Sequence, residues 1–273
     1  MKPFSQAKPL ELRSRKTAIS SLIKHIDDPG KCSSTGISKL DTAMGGGLYA
    51  GKAYGLQARK KVGKTILLGT ISHNLNKAGV KHLWVAAEMN DQELEQRQIA
   101  RDLGRNPIDF LKNKVSVEDI LIANVEYKDM APDNTVYANA SGAHLDVLEK
   151  TIEKAVVEEG INGVIIDYLQ LIRGVSQNRT EHLEYVAQSV AVMVRKYDIW
   201  AFVAAQLNQE DNTRGGEGML LAFDMVFNLH RQKTESGAWL EMCETRYTNY
   251  MNIGSKGSPG LRLESSGPYF AQV

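Results

Sequence analysis

The chain has 273 residues, 42% hydrophobic and 24% charged, enough for one large domain or two small ones. Its 33 basic and 32 acidic residues leave a net charge of +1, which does not by itself announce a nucleic-acid binder but leaves room for a local basic lining. Cys32 and Cys243 lie far apart with no CxxC, the six histidines form no HxxxH pair, and no apolar run approaches membrane-spanning length. These counts argue against a disulfide framework, a zinc ribbon and a membrane anchor. A soluble cytoplasmic protein, in the host cytoplasm if viral, is the expectation.

In chain order, residues 1–15 hold Pro3 and Pro9 among mostly polar residues and read as an extended arm. KTAISSLIKHID (16–27) places Ile19, Leu22, Ile23 and Ile26 at i, i+3, i+4 and i+7, one apolar stripe on a helix. Pro29-Gly30 then breaks the pattern. Residues 1–34 are taken as an arm with its linker helix, and 35–273 as the globular body. Five apolar runs follow: AYGLQ (53–57), HLWVAAE (82–88), TVYANA (135–140), GVIID (163–167) and IWAFVAAQ (199–206). The segments 63–79, 91–104, 142–160 and 181–197 between them have helical periodicity. Apolar strands alternating with helices predict an α/β fold with a parallel central sheet covered on both faces. From residue 224 onward, strand-like runs succeed one another, which predicts an antiparallel C-terminal extension.

Ligands of open α/β sheets sit at the carboxyl ends of the strands, and polar residues stand at those ends here. The first run leads into ARKKVGKT (58–65), which matches a phosphate loop except that Ala58 stands where the first glycine of GxxxxGK[ST] belongs. In a strand–loop–helix context, Ala58, Arg59, Lys60, Lys61, Val62, Gly63, Lys64 and Thr65 would wrap the phosphates of ATP with their backbone N–H groups. Lys64 would reach the β- and γ-phosphates and Thr65 would bind Mg²⁺. The second run ends in Glu88, a candidate base for an attacking water. The fourth ends in Asp167, a candidate magnesium carboxylate, and the fifth in Gln206, a candidate γ-phosphate contact. Taken singly, GKT is a common helix start, Asp167 a helix cap, Glu88 a solvated strand end and Gln206 a loop residue. Their joint placement favours phosphoryl transfer. A methyl group at position 58 is costly only if φ there is positive, which residue letters do not decide.

From about Thr35 onward the chain resembles the DnaB-type replicative helicases, a family whose motor domain is RecA-like. TGISKLDTAMGGGLYAGKAYGLQA resembles the segment that leads into the family's motor, and QARKKVGKT its AARPxMGKT-like loops, which also carry alanine. AAEMNDQELEQRQIAR and VIIDYLQLI, with QNRTEHLEYVAQSVAVMVRKYDIWAFVAAQLNQ behind it, resemble further segments; DYLQL and QLN at this spacing are the most specific. The resemblance implies a RecA-like P-loop core, with Lys64 and Thr65 on triphosphate and Mg²⁺, Glu88 as catalytic base, Asp167 on the metal side and Gln206 as γ-phosphate sensor. It also implies that the loop 209–218 contacts DNA through Arg214, Gly215 and Gly216; from residues alone, Arg214 is equally a surface charge. Arg246 in CETRYTN matches an arginine that reaches a neighbouring subunit's ATP site. Two residues before it the family carries lysine where Glu244 stands here, and Arg231 is the fallback.

The expectation is therefore a hexameric, ATP- and Mg²⁺-dependent motor that moves on single-stranded DNA and unwinds duplex during replication. The family's separate N-terminal domain has no counterpart here, so the chain reads as a bare motor with a short arm, served by a loader or primase. Helix 16–27 would dock on a neighbour in such a ring or pack on its own domain. Two alternatives share the core: a RecA-like recombination or annealing ATPase, and a KaiC-like regulatory ATPase.

Overall fold

The computed structural model describes residues 12, 14–27, 32–130, 133–173, 179–207, 221–264 and 267–273. Most of the arm at 1–15, with Pro3 and Pro9, the Pro29-Gly30 break, and Arg214, Gly215 and Gly216 lie outside the described residues.

The predicted alternation folds as strand and helix in turn. β1 is Ala53–Ala58, followed by α3 at Lys64–Lys77; α1 (Arg15–Asp27) and α2 (Ser38–Ala43) precede it. β2 is His82–Ala86, β3 Thr135–Asn139, β4 Gly163–Asp167 and β5 Trp200–Gln206. α4 (Asp91–Asp102), α5 (Ile108–Leu111) and α6 (Val117–Met130) lie between β2 and β3; α7 (Leu145–Lys154) precedes β4, and α8 (Arg179–Tyr197) precedes β5. The helix expected over 142–160 thus starts three residues late, and residues Ala155–Glu159 form a π-helical turn that closes on left-handed Gly160. Strands β6 (Met225–Arg231), β7 (Gly237–Thr245), β8 (Gly254–Ser255), β9 (Ser258–Pro259), β10 (Leu261–Glu264) and β11 (Tyr269–Gln272) complete the chain.

One nine-stranded sheet has the order β11-β10-β7-β6-β1-β5-β4-β2-β3. Pairing is parallel from β6 to β3 and antiparallel through β7, β10 and β11. The antiparallel extension therefore begins one strand later than expected, because β6 joins β1 in parallel. Period-2 alternation sends successive side chains to opposite faces. Trp200, Phe202 and Ala204 face a core with Leu67, Leu68, Ile71 and Leu75 of α3, whereas Ala201, Val203 and Ala205 face one with Leu183, Val186 and Val190 of α8. Burying each of the four α3 side chains stabilises the fold by roughly 1.5–3 kcal/mol. This packing sets the start of α3 beside the carboxyl end of β1. No described helix is long and apolar enough to cross a membrane.

Candidate functional site

Because β1, β2, β4 and β5 run parallel, their carboxyl ends open on one side of the sheet. A cleft of about 450 Å³ lies there, and Gly63, Lys64, Thr65, Glu88 and Gln206 all line it. Asp167 ends β4 in register with Ala86, and the Ala87 amide donates to the Asp167 carbonyl at 3.0 Å. Glu88, exposed, follows directly. The strand register thus gathers six residues separated by up to 143 positions in the chain (from Gly63 to Gln206).

The loop 58–65 resolves the question Ala58 raises. Ala58 is the last residue of β1, fully buried and paired with Gln206, and its φ is not positive. Its position needs no glycine. The unusual backbone falls later, at Lys61 (φ 66°) and Gly63 (φ 121°). At Gly63 a Cβ would stand 3.1 Å from the Phe270 ring, so the C-terminal strand closes over the loop where only glycine fits. The Phe270 amide also donates to Thr70 Oγ1 at 3.0 Å, fastening β11 to α3.

Lys64 opens α3, so its ammonium and the helix N-terminus share the cleft. Its Nζ donates to the Ala58 carbonyl at 3.2 Å. Burial lowers the Lys64 pKa below the usual lysine range, against the opposing pull of Asp167 and Glu88. Asp167 is 3% exposed, and burial raises its carboxyl pKa to about 6; Glu88 adds to the rise, while the Thr65 hydrogen bond, Lys64 and Arg97 oppose it. Its Oδ1 is buried and has no hydrogen-bond partner. A carboxylate oxygen held in this state, beside a hydroxyl on the same group, suits a hard cation such as Mg²⁺.

Sequence reasoning passed over several residues of the cleft and named one, Arg231, only as the fallback for Arg246. Arg97 of α4 and Tyr168 line it, as does Arg231 at the end of β6. The Arg231 Nε donates to the Val62 carbonyl of the chain's own loop at 2.9 Å, and Nη1 to the Glu235 carbonyl at 2.8 Å. Arg231 therefore lines the cleft of its own chain. Glu93 also lines the cleft, but it forms a capping box with Asn90 that starts α4. Gln170 grips the backbone of Gln206 from both sides: its Nε2 donates to the Gln206 carbonyl and its Oε1 accepts from the Gln206 amide, each at 3.2 Å. The signal for Gln170 was its place in DYLQL; its partner is 36 residues away.

Arg246 is not brought to this cleft. It follows β7, its amide donates to the Asp224 carbonyl at 3.0 Å, and its Nη2 donates to the Leu221 carbonyl. Asp224 in turn bonds Ala53 at the opposite end of β1, so Arg246 sits about one strand length, roughly 20 Å for six residues, from the phosphate loop.

A family model described as the DnaB-like helicase C-terminal domain matches residues 33–219. The replicative DNA helicase DnaB of Geobacillus stearothermophilus is 22% identical over 184 residues, 66% of this chain and 40% of that protein. The DNA repair protein RadA of Campylobacter jejuni is 31% identical over 137 residues, 47% of this chain and 30% of that protein. The chain thus spans less than half the length of either curated relative. Among solved structures, an isolated ATPase domain superposes with a TM-score of 0.80 at 18% identity, covering 96% of this chain and 100% of that one. A DnaB-like replicative helicase described with its interactions with primase gives 0.77 at 18% identity, covering 98% and 69%. At such identities the likeness shows a shared RecA-like fold.

Proposed function

The chain belongs to the DnaB-like helicase C-terminal domain family, and from that premise we propose that it is the motor of a ring-forming DNA helicase that hydrolyses ATP to move along single-stranded DNA and open duplex during replication. The observation that carries this reading is the convergence of Lys64, Thr65, Glu88 and Gln206 on one cleft beside a buried, unpartnered oxygen of Asp167.

Phosphoryl transfer asks a protein for position and charge rather than covalent chemistry. Residues 58–65 wrap the triphosphate with backbone N–H groups, and Lys64 sets its charge against the β- and γ-oxygens. Thr65 and Asp167 are the residues that would hold Mg²⁺, which supplies charge neutralisation at those oxygens when bound. Glu88 accepts the proton of the attacking water and Gln206 contacts the γ-phosphate. The loop carrying Arg214, Gly215 and Gly216 follows Gln206 in the chain and contacts the DNA backbone. Residues 35–273 are the motor and 1–34 the arm with its linker helix.

Two observations support a shared site in a homo-oligomeric, hexameric ring. Arg246 is half exposed and remote from its own cleft, where an arginine serving a neighbour belongs. Ile19, Leu22 and Ile23 of α1 are 44%, 56% and 53% exposed, an apolar stripe its own chain leaves open to a neighbouring copy. The solved helicase described with primase supports a primase partner, with a loader as the alternative. Such a motor works in the cytoplasm, the host's if the chain is viral.

The deciding experiment is the ATP hydrolysis rate with and without single-stranded DNA. Strong stimulation is expected; hydrolysis indifferent to DNA would replace the motor with a regulatory ATPase. In mixtures, Arg246→Ala subunits combined with Glu88→Gln subunits should regain part of the activity, since some interfaces then hold one intact site. A second reading is a recombination or repair ATPase, favoured by the 31% identity to RadA. Open filaments on DNA and no fork unwinding would select it over the helicase.

A further inference from the structure

β7 runs antiparallel to β6, so its last residues lie beside the first of β6, with Glu244 opposite Val226 and Thr245 opposite Met225. That end of the sheet also holds Arg246, whose guanidinium bonds the Leu221 carbonyl and stands 3.9 Å from Asp224. Glu244, two residues earlier, is half-buried, and its carboxylate has no ion-pair or hydrogen-bond partner among the described residues. The backbone beneath it is fixed by the β6 ladder, and the Arg246 amide extends that ladder by donating to the Asp224 carbonyl at 3.0 Å. A carboxylate half-removed from water on a rigid strand, with no cation of its own, is a contact waiting for one.

The phosphate loop carries the opposite excess. Lys60 and Lys61 are exposed, line the cleft at its rim and have no ion-pair partner among the described residues. Lys64, at the start of α3, is already the cation set against the phosphates, so two further positive charges are left over. Within one chain these lysines do not reach Glu244. The six residues of β1 alone put roughly 20 Å between the two ends of the sheet, more than a lysine and a glutamate side chain span together.

We propose that Glu244 pairs with Lys60 and Lys61 of a second copy of this chain, a charge pair at the cleft rim that seats the subunit presenting Arg246. The inference rests on the shared-site reading, in which Arg246 serves a neighbour. As Arg246 enters the neighbour's cleft, Glu244 follows two residues behind, roughly 7 Å along the strand direction. A carboxylate arriving beside a triphosphate is repelled, and lysines standing between the two turn that repulsion into attraction. Because the acid and the lysines lie at opposite ends of one chain, the contact is head-to-tail, and repeated it closes a ring. A pair of this kind fixes which surfaces meet more than how tightly they hold.

The test is sedimentation velocity of the full chain with Mg²⁺ and a slowly hydrolysed ATP analogue, over a range of protein concentrations. Glu244→Lys should raise the concentration at which oligomers form by roughly tenfold, and Lys61→Glu should do the same. Mixed in equal amounts, the two proteins should assemble nearly as the wild type does, because in alternating order every contact joins a cation to an anion. A pair within one chain would not be mended by mixing. Since a loop variant can also fail for want of nucleotide, the wild-type chain supplies a second measurement. A zero-length carbodiimide, which condenses a carboxylate with an adjacent amine, should join Glu244 to Lys60 or Lys61. In a mixture of isotope-labelled and unlabelled chains, crosslinked peptides of mixed label should appear. Assembly of the Glu244→Lys protein at wild-type concentrations would overturn the pair while leaving the ring intact. So would an assembled wild type whose Glu244 crosslinks are absent or never of mixed label. A wild-type chain that stays monomeric would overturn the pair and the shared-site reading together.

Discussion

Two aspartates lie buried at opposite ends of the same sheet, and they differ in how their oxygens are used. Asp224, 1% exposed before β6, has Oδ2 bonded to the Ala53 amide at 2.9 Å and Oδ1 to the Tyr247 hydroxyl at 3.0 Å, with Arg246 Nη1 at 3.9 Å. Asp167, 3% exposed at the end of β4, bonds Thr65 but leaves Oδ1 buried with no partner. Burial alone therefore does not mark a functional carboxylate. The satisfied aspartate ties β1 to β6 and β7, and the unsatisfied one is the carboxylate proposed above for Mg²⁺.

That contrast can be broken by substitution, with the largest effect at the cleft. Lys64→Ala should lower ATP hydrolysis on the order of 10³-fold with little change in melting temperature. Normal hydrolysis in this protein would remove the phosphate site altogether. Asp167→Asn should cost on the order of 10²-fold in hydrolysis and yet raise thermal stability, because it deletes a desolvated charge. The sign follows from the pKa. A carboxyl raised to about 6 in the fold binds its proton more tightly there than in the unfolded chain. Its penalty is absent below about pH 4, grows between pH 4 and 6, and amounts to roughly 3 kcal/mol at pH 7. The stability advantage of Asp167→Asn over wild type should therefore shrink as pH falls from 7 to 4, which urea titrations at several pH values would read.

Asp224→Ala should do the reverse, losing about 2–3 kcal/mol of stability by orphaning the buried Ala53 amide and the Tyr247 hydroxyl. An unchanged denaturation midpoint would show that the lower end of the sheet does not depend on this aspartate. The smallest effect is expected at Gln170→Ala. Losing both bonds to the Gln206 backbone should lower kcat about fivefold while leaving KM for ATP near its starting value, since Gln170 touches the strand end and not the loop 58–65. A matched rise in KM would instead mean that the cleft as a whole had loosened.

Much of this architecture was legible in the letters. The apolar runs could be read because strands buried on both faces must be continuously apolar, as β1, β2, β4 and β5 are. Glu88, Asp167 and Gln206 were readable because a polar residue directly after such a run tends to stand at or just past a strand end, although Gln57 lies buried inside β1. Arg97 was not, since nothing local separates an arginine on α4 from a solvated one; Arg231 was named only as the fallback for Arg246, and Gln170, though part of DYLQL, has its partner 36 residues away. The parallel placement of β6 was hidden for a similar reason: a buried strand reads alike in either direction.

By itself, the sequence determined the order of strands and helices, the phosphate-loop letters and the polar residues at strand ends, because these follow from periodicity and from residue chemistry along the chain. Only the tertiary structure decided that Ala58 is an ordinary strand residue while Lys61 and Gly63 carry the positive φ. It alone placed Arg231 in its own cleft and Arg246 one strand length away, and it alone left one oxygen of Asp167 without a partner. The reason is that sheet register and packing bring together residues far apart in the chain, and whether a buried charge is satisfied depends on those distant neighbours.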